Sequence, residues 1–352
     1  MLSMMRLQRE EPRGQRHDLS DGDQRYALRA SRALHATTSR AMRWNRGECC
    51  SGGKFYVNVT IGGQLFRLSP DTGSALLAVP SSTCASCSPS LHRYSPPSHA
   101  WLPCNESEPL LCSACVNSST PGERTCATAV TYIDGSGFTA ALVNDALLGT
   151  RVTFGAIVDE VERGGIAFEP PNVDGIWGMA SSGESLVGMP TAFDQLVAAG
   201  AIVQRVFAIC MGLRAGALEL GGDGATLASD ALQYTPTSPS SSPYWAVRVL
   251  SVSVLGQPLP LPSSSYTAHD AIVDSGTADL ILPAWAHLML KTTLAATCLD
   301  ARGGEAQEPL LGVCTDVTGV SGTLFEGYCF NMTDEQVPCL RFDAWHRRRG
   351  CA

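Results

Sequence analysis

Two segments of the chain carry the same pattern. Residues 71–80 are DTGSALLAVP, and residues 274–283 are DSGTADLILP. In each segment an aspartate, a small hydroxyl residue and a glycine are followed by apolar residues and then a proline. The two aspartates, Asp71 and Asp274, lie 203 residues apart. A repeat of this kind predicts two related lobes, each with one copy of the pattern.

The residue types in the repeat indicate acid–base chemistry. Glycine lets the backbone approach a carboxylate closely. If the two turns face each other, Asp71 and Asp274 share a site in which both cannot ionise cheaply, so one keeps a proton. The ionised carboxylate can take a proton from a water while the protonated one donates to a carbonyl oxygen. The pair therefore predicts hydrolysis of a peptide bond.

Both motifs resemble the active-site motifs of the pepsin-like aspartic proteases. Residues 132–136 (YIDGS) resemble the tip of that family's flap, the hairpin that closes over substrate. Residues 174–179 (DGIWGM) resemble its motif supporting the first aspartate, and the likeness covers roughly residues 55–342. Either aspartate triplet alone is more often part of an ordinary turn. Tyr132 alone could equally be a half-buried tyrosine in a strand, with no role in a flap. The combination favours the family.

The resemblance implies a fold, an activity and a site. The implied fold is all-β, a bilobal acid protease fold with a few short helices. The implied activity is that of an aspartic endopeptidase with an acidic pH optimum, acting on peptides or proteins without a cofactor or metal. Asp71 and Asp274 would be catalytic. The expected substrate-binding residues are Gly73, Tyr132, Gly135, Ser136, Gly276 and Thr277.

The chain also departs from the family pattern. Pro70 supplies no backbone donor just before the first aspartate, so the local strand pairing is expected to change. Ala75 replaces a second hydroxyl residue. Ala78 replaces the tryptophan that often supports the flap tyrosine, a replacement that also resembles the β-secretase branch. These departures keep a second hypothesis open, in which the chain is a catalytically silent peptide-binding relative.

Hydrophobic patterning organises the rest of the chain. Short alternating runs from residue 55 onward predict a mainly β protein, beginning with a hairpin over residues 55–68 that turns at Gly62 and Gly63. Helices are predicted at residues 190–199 and 283–296, and a short one at 26–36. The predicted divisions are a basic tail or pro-segment remnant (1–48), an N-terminal lobe (49–234) with a cysteine-rich insert (81–131), a linker (235–243), and a partial C-terminal lobe (244–352).

The second lobe is expected to be truncated. Only 78 residues follow Asp274, and they contain no second apolar-apolar-glycine motif of the kind that packs beside the second aspartate. An unfinished lobe leaves strand edges and apolar surface open. An inactive truncated fragment is therefore a further alternative to the enzyme.

Cysteines and glycosylation sequons indicate the secretory pathway, either secreted or in a vacuole- or lysosome-like compartment. The chain has 14 cysteines and four Asn-x-Ser/Thr sequons, at Asn58, Asn105, Asn117 and Asn331. No clear signal peptide precedes them. Six cysteines crowd the insert, which also resembles nepenthesin-type enzymes. Disulfides are favoured there over a four-cysteine zinc site, with Cys298 and Cys329 as plausible partners in the second lobe.

Composition and charge exclude several other classes. At 44% hydrophobic and 16% charged, the 352 residues are typical of a folded globular protein. Residues 1–48 hold ten arginines against six acidic residues, so the net charge of −8 comes from an acidic body. We expect no nucleic-acid partner, no membrane span and a monomer. The histidines lack metal-binding spacing, and no serine-hydrolase elbow occurs.

Overall fold

The computed structural model describes most of the first three hundred residues of the chain. The described ranges are residues 5–6, 32–38, 55–104, 112–117, 124–133, 135–161, 173–211, 215–222, 224, 232–238, 242–254, 257–267, 270–277, 280–300 and 340–343. The chain forms two compact units. The first comprises Met1–Arg40, Gly53–Trp245 and Ile272–Thr277, and the second comprises Ala41–Gly52, Ala246–Ala271 and Ala278–Ala352.

Strands dominate the described residues, which confirms the mainly β prediction. They are β1 (Met5–Arg6), β2 (Arg32–Thr38), β3 (Phe55–Ile61), β4 (Gln64–Asp71), β5 (Leu77–Pro80), β6 (Ala114–Asn117), β7 (Arg124–Thr131), β8 (Gly137–Leu147), β9 (Thr150–Val161), β10 (Gly175–Gly178), β11 (Phe207–Met211), β12 (Ala215–Leu220), β13 (Gln233–Tyr234), β14 (Ala246–Val247), β15 (Ser251–Val254), β16 (Gln257–Pro258), β17 (Ala271–Ile272) and β18 (Leu340–Asp343).

Helices are short and few among the described residues. They are a 3₁₀ turn (Ser98–Ala100), α1 (Glu184–Val187), α2 (Ala192–Ala198), α3 (Ser263–Thr267) and α4 (Ala284–Asp300). Thr191 is the N-cap of helix α2, and its side chain accepts a hydrogen bond from the Asp194 amide. Both helices predicted after residue 180 are present, with bounds shifted by a few residues. No described helix combines the length and the hydropathy needed to cross a membrane.

The first unit is built on one large sheet. Its strand order is β11-β12-β2-β3-β4-β10-β5-β9-β8-β7-β6. The predicted hairpin is β3–β4, with Ile61 opposite Gln64. Gly62 and Gly63 form its turn at φ angles of 54° and 77°, which glycine adopts without steric cost. Strand β10 lies between β4 and β5, parallel to β4 and antiparallel to β5.

Alternation along β3 directs its apolar side chains into the core. Val57, Val59 and Ile61 are buried, whereas Asn58 and Thr60 are exposed. The largest fully buried side chains of the unit include Trp177, Tyr94, Phe66 and Phe154. This core lies directly beneath β4 and β10, the strands that carry the first aspartate and its supporting motif.

The expected helix at residues 26–36 is wrong for its described part. Residues 32–38 form strand β2, which pairs antiparallel with β3 on one side and β12 on the other. Residues 26–31 lie outside the described residues. Strand pairing with two partners outweighs the local helical pattern, because sheet stability depends on cross-strand neighbours distant in sequence.

The described part of the second unit holds a small sheet and two helices. Strand β15 pairs antiparallel with β16 and with β18, with Val252 opposite Phe342. A compact apolar cluster supports them, formed by Val252, Leu259, Tyr266, Leu290 and Leu294. Most of residues 301–352, including Cys329, lie outside the described residues, so the expected Cys298–Cys329 disulfide stays a prediction.

Candidate active site

Asp71 is the last residue of β4 and is held by the strand beside it. Strand β10 runs parallel to β4, with Gly178 opposite Asp71. The Met179 amide donates to the Asp71 carbonyl oxygen at 2.7 Å. A side chain at Gly178 would collide with the backbone of Ala75 and Leu76, so the close packing of these strands requires glycine there.

Pro70 does not interrupt the pairing with β10, contrary to expectation. Trp177 lies opposite Pro70 in the parallel ladder, and the register continues to Asp71. Pairing of β4 with β3 has already ended at Leu68. The missing amide hydrogen of Pro70 is tolerated where only one neighbouring strand remains.

Each carboxylate accepts two hydrogen bonds from its own turn, and the two turns match. The Gly73 amide donates to Asp71 Oδ1 at 2.8 Å, and the Ser74 hydroxyl donates to Asp71 Oδ2. In the second copy, the Gly276 amide donates to Asp274 Oδ1 at 2.8 Å, and the Thr277 hydroxyl donates to Asp274 Oδ2 at 2.6 Å. The sequence repeat is therefore also a repeat in hydrogen bonding.

The two turns are joined by a reciprocal set of hydrogen bonds. The Thr72 amide donates to Ser275 Oγ at 3.1 Å, and the Ser275 amide donates to Thr72 Oγ1 at 2.9 Å. The same two hydroxyls donate to backbone carbonyls of the other turn, Thr72 to Val273 at 2.7 Å and Ser275 to Pro70 at 2.8 Å. Each hydroxyl thus both accepts and donates across the pair.

Sequence reasoning missed Thr72 and Ser275 as positioning residues. The available signal was a hydroxyl residue at the second position of both copies, DTG and DSG. Their partners lie more than two hundred residues away, so only the folded chain shows what they do.

The carboxylates of the two aspartates lie against each other's turns. A Cβ added to Gly73 would collide with the carboxyl group of Asp274, and a Cβ added to Gly276 would collide with that of Asp71. The glycines are therefore required for the approach itself. The structure brings Asp71, Asp274, Gly73, Gly276 and Thr277 together in the first unit.

Burial and the neighbouring carboxylate raise the pKa of Asp71. Asp71 is 4% exposed. Burial first, and then the negative charge of Asp274, raise the pKa of Asp71 to about 7, although the hydrogen bonds from Ser74 and Gly73 oppose the rise. Below that pH Asp71 holds the proton of the pair. One group is then an acid while its neighbour is available as a base.

The predicted flap residues lie in the turn between β7 and β8. The Tyr132 amide donates to the Ser136 carbonyl at 2.8 Å, and the Gly135 amide donates to the Tyr132 carbonyl at 3.0 Å. Gly135 has a φ of 84°, and Ser136 is buried. Ile133 at the tip is 89% exposed. Asp134 lies outside the described residues.

The Tyr132 ring packs on the flap's own strands and their apolar neighbours. It lies 6.2 Å from the ring of Phe138 in β8, centroid to centroid, at a tilted angle. It also contacts the apolar cluster that includes Leu76 and Ala78. Ala78, in the place of the family's tryptophan, is completely buried and faces Ile176 across the β5–β10 ladder.

An ion pair ties the supporting motif to the aspartate strand. Asp174 accepts from the Arg67 guanidinium at 2.7 and 2.9 Å and from the Arg67 amide at 2.9 Å. Although burial opposes it, the bonds and charge of Arg67 hold the pKa of Asp174 below its usual value. Arg67 lies on β4, four residues before Asp71, so this pair fixes the strand that carries the catalytic candidate.

Asp174→Ala should lower the free energy of unfolding by about 2 to 3 kcal/mol. The change leaves the guanidinium and amide of Arg67 without their acceptor in a part-buried position. Urea unfolding followed by tryptophan fluorescence measures the effect. Asp159→Ala is the matched control, since that exposed carboxylate accepts one hydrogen bond, from Ser86 at 2.8 Å. Equal unfolding midpoints for the two variants would contradict the prediction.

The cysteine-rich insert is tied by disulfides. The pairs are Cys84–Cys87, Cys104–Cys115 and Cys112–Cys126. All four cysteines of the two Cys-x-x-Cys motifs are used in this way, so they do not form the zinc site considered as the alternative. No cluster suited to a metal ion occurs among the described histidines, cysteines and acidic residues.

Comparison with known proteins places this geometry in a family. The family model for eukaryotic aspartyl protease matches residues 54–306. The chain is 28% identical over 281 residues to an aspartic protease of Phaffia rhodozyma, covering 78% of this chain and 62% of the relative. It is 28% identical over 277 residues to rhizopuspepsin-1 of Rhizopus niveus, covering 71% and 64%. Pepsin F of Oryctolagus cuniculus is 30% identical over 230 residues, covering 62% and 52%.

The chain spans about three fifths of the length of the first two relatives. The matched region includes both aspartate motifs, the flap turn and the Asp174 motif. The resemblance noted from these residues is confirmed: the chain belongs to the eukaryotic aspartyl protease family.

Proposed function

We propose that the chain is an aspartic endopeptidase that hydrolyses peptide bonds with Asp71 and Asp274 acting as a pair. The observation that carries the proposal is the matched geometry of the two turns. Each carboxylate accepts an amide and a hydroxyl hydrogen bond from its own turn, and Thr72 and Ser275 join the turns. An isolated Asx turn has no reason to be duplicated and cross-linked in this way.

The perturbed pKa of Asp71 supports an assignment of roles. Asp71 holds the proton at acidic pH and donates it to the carbonyl oxygen of the peptide bond. Asp274, which is more exposed, acts as the base and takes a proton from a water that attacks the carbonyl carbon. A tetrahedral intermediate forms, and the amine leaves with a proton returned from the pair. Both hydroxyls beside the carboxylates, Ser74 and Thr277, keep the oxygens oriented through these steps.

We propose an extended peptide of about six to eight residues as substrate. A strand-like peptide presents alternate side chains to pockets on both of its sides. The flap would close over it, with the half-buried Tyr132 and the exposed Ile133 at the tip. Gly73, Gly135, Ser136, Gly276 and Thr277 are the proposed substrate-binding residues beside the pair.

A silent peptide-binding relative is the weaker candidate. A chain that had lost catalysis would have no need for both carboxylates or for the hydroxyls bonded to them. All four of these groups are present, and they are bonded as a repeat. We infer that Ala78 changes the packing against the flap rather than the chemistry. Pro70 leaves the pairing with β10 intact up to Asp71.

Peptide cleavage should be confined to acidic and near-neutral pH. Above the pKa of Asp71, about 7, Asp71 has lost the proton that it would donate to the carbonyl oxygen. The rate should then fall by up to about tenfold for each pH unit. A denatured protein substrate assayed from pH 3 to pH 8 measures the profile, and a statine-type transition-state mimic identifies the activity as that of the pair. A rate optimum above neutrality would reject the mechanism.

We propose the secretory pathway as the location, either secreted or in an acidic compartment such as a vacuole or lysosome. Three disulfides in the described insert require an oxidising compartment for their formation. An acidic compartment would also match the pH at which Asp71 keeps its proton. A monomer is the expected assembly state, which sedimentation of the purified chain would measure.

A further inference from the structure

A buried tryptophan outside the two aspartate motifs is bonded to the backbone beside both of them. Trp245 directly precedes β14 and is 5% exposed. Its indole Nε1–H donates to the Met179 carbonyl oxygen at 2.7 Å, and its own carbonyl oxygen accepts from the Val273 amide at 2.9 Å. Val273 is the residue before Asp274. One residue therefore contacts the supports of both halves of the proposed catalytic pair.

These two bonds belong to a closed circuit of hydrogen bonds. The Met179 amide donates to the Asp71 carbonyl oxygen at 2.7 Å, and the Thr72 hydroxyl donates to the Val273 carbonyl oxygen at 2.7 Å. Met179 and Val273 thus each donate with the amide and accept at the carbonyl oxygen, and Trp245 connects them. Because Thr72 follows Asp71 in the chain, the circuit closes at the first turn.

Aromatic packing holds the indole of Trp245 in place. Its ring lies 5.6 Å from the ring of Phe207, centroid to centroid, at an angle of 80°. Phe207 in turn lies 5.3 Å from Phe193 at 82°. Edge-to-face contacts of this kind stabilise buried aromatic pairs. Since the indole is fixed, its N–H restrains the Met179 carbonyl rather than following it.

We propose that Trp245 is a positioning residue that holds the Asp71 and Asp274 turns at the separation their shared proton requires. The inference rests on the proposed function, because it concerns the same pair. The bonds between Thr72 and Ser275 join the turns at their second residues. Trp245 adds a second connection, which runs through the backbone beside Asp71 and before Asp274. Two connections restrain one turn from tilting against the other, which a single connection permits.

The separation of the carboxylates also contributes to the pKa of Asp71. Strand β10 and Met179 bring no ionisable side chain to Asp71, so among the described residues Asp274 is the neighbouring charge that raises this pKa. If the turns move apart or admit water, burial and the charge of Asp274 act less strongly, and the pKa of Asp71 falls toward its usual value. A positioning role therefore predicts a shifted pH profile, which a loss of stability alone does not.

Two changes at Trp245 in the full chain remove the indole donor. Trp245→Phe keeps an aromatic ring, and replacement of Trp245 by 3-benzothienylalanine, introduced by stop-codon suppression, removes the same N–H at nearly the same size. The second variant preserves the packing if phenylalanine leaves too large a gap to fold. Trp101→Phe is the matched control. Trp101 packs against the core of the first unit, but its Nε1 has no hydrogen-bond partner among the described residues.

Initial rates on a denatured protein substrate test the positioning role. At acidic pH, kcat should fall about ten- to a hundredfold in both Trp245 variants, because a displacement of about 1 Å at a catalytic group has an effect of this size. KM should stay within about twofold of the wild-type value, since the change affects the reacting groups rather than the binding of substrate. The alkaline limb of the kcat profile should move to lower pH. Trp101→Phe should match the wild type in all three respects.

Carbon-13 NMR of protein labelled at the aspartate carboxyl carbons gives a readout that needs no cleavage. The signals of the pair are assigned with Asp71→Asn and Asp274→Asn. The higher of the two pKa values should be lowered in both Trp245 variants and unchanged in Trp101→Phe. A wild type that cleaves no peptide would reject the proposed function, and the titration would still decide the role of Trp245. A wild-type titration in the Trp245 variants, or the same shift in Trp101→Phe, would overturn the positioning role.

Discussion

Asp71→Asn and Asp274→Asn should each lower kcat/KM for peptide cleavage by at least about a thousandfold. Each substitution removes a carboxylate that must hold or accept a proton, while asparagine keeps an oxygen that can accept the bond from Gly73 or Gly276. The turns should therefore fold as before. Initial rates on a denatured protein substrate at acidic pH measure the loss.

The double variant should have about the same kcat/KM as the less active single variant. The two carboxylates act as one unit, so the effects of removing them are not additive. Asp159→Asn is the matched control, since it changes an exposed carboxylate of β9 and should keep wild-type activity. Near-ultraviolet circular dichroism checks that each variant is folded. Cleavage that survives both active-site substitutions would disprove the paired-carboxylate mechanism.

Local patterns in the sequence predicted the parts of the molecule that depend on near neighbours. The β3–β4 hairpin is set by alternation and by two glycines that take positive φ angles. The α2 helix is set by the Thr191 cap. The aspartate turns are equally local, because each carboxylate accepts from residues two and three positions later.

Features that depend on distant partners could not be predicted in the same way. Arg67 and Asp174 are 107 residues apart, and nothing in the sequence marks their pairing. The strand at Arg32–Thr38 forms because β3 and β12 lie on either side of it, not because its own pattern favours a strand. Disulfide partners in the insert also required the fold, since six cysteines allow fifteen connectivities.

Pro70 illustrates how tertiary context decides the effect of a residue. Proline removes a backbone donor wherever it stands, and the sequence therefore predicts a disturbed ladder. In the structure, β3 has stopped pairing at Leu68, and Pro70 lies opposite Trp177 in the remaining ladder. Its carbonyl oxygen instead accepts from Ser275. The same residue thus contributes to the junction between the two turns.

Stability of the folded protein should fall as the pH rises from about 4 to about 7. Asp71 has a usual carboxyl pKa of 3.8 and a folded-state pKa of about 7, so the folded state binds the proton more tightly than the unfolded chain does. The resulting stabilisation is fully present below about pH 4 and is lost as the pH rises through the folded-state value. Its full size is up to about 4 kcal/mol, from roughly three pKa units.

Comparison of the wild type with Asp71→Asn isolates this contribution, because asparagine is neutral at every pH. Urea unfolding from pH 4 to pH 8 should give a curve for the wild type that falls relative to the variant, and the variant should be the more stable protein above pH 7. Asp174 contributes to stability in a different pH range. Because its pKa is lowered, its contribution to stability is present above about pH 4 and is lost in stronger acid. Asp159→Asn should follow the wild type throughout. Parallel curves for wild type and Asp71→Asn would mean that Asp71 is not the buried proton holder.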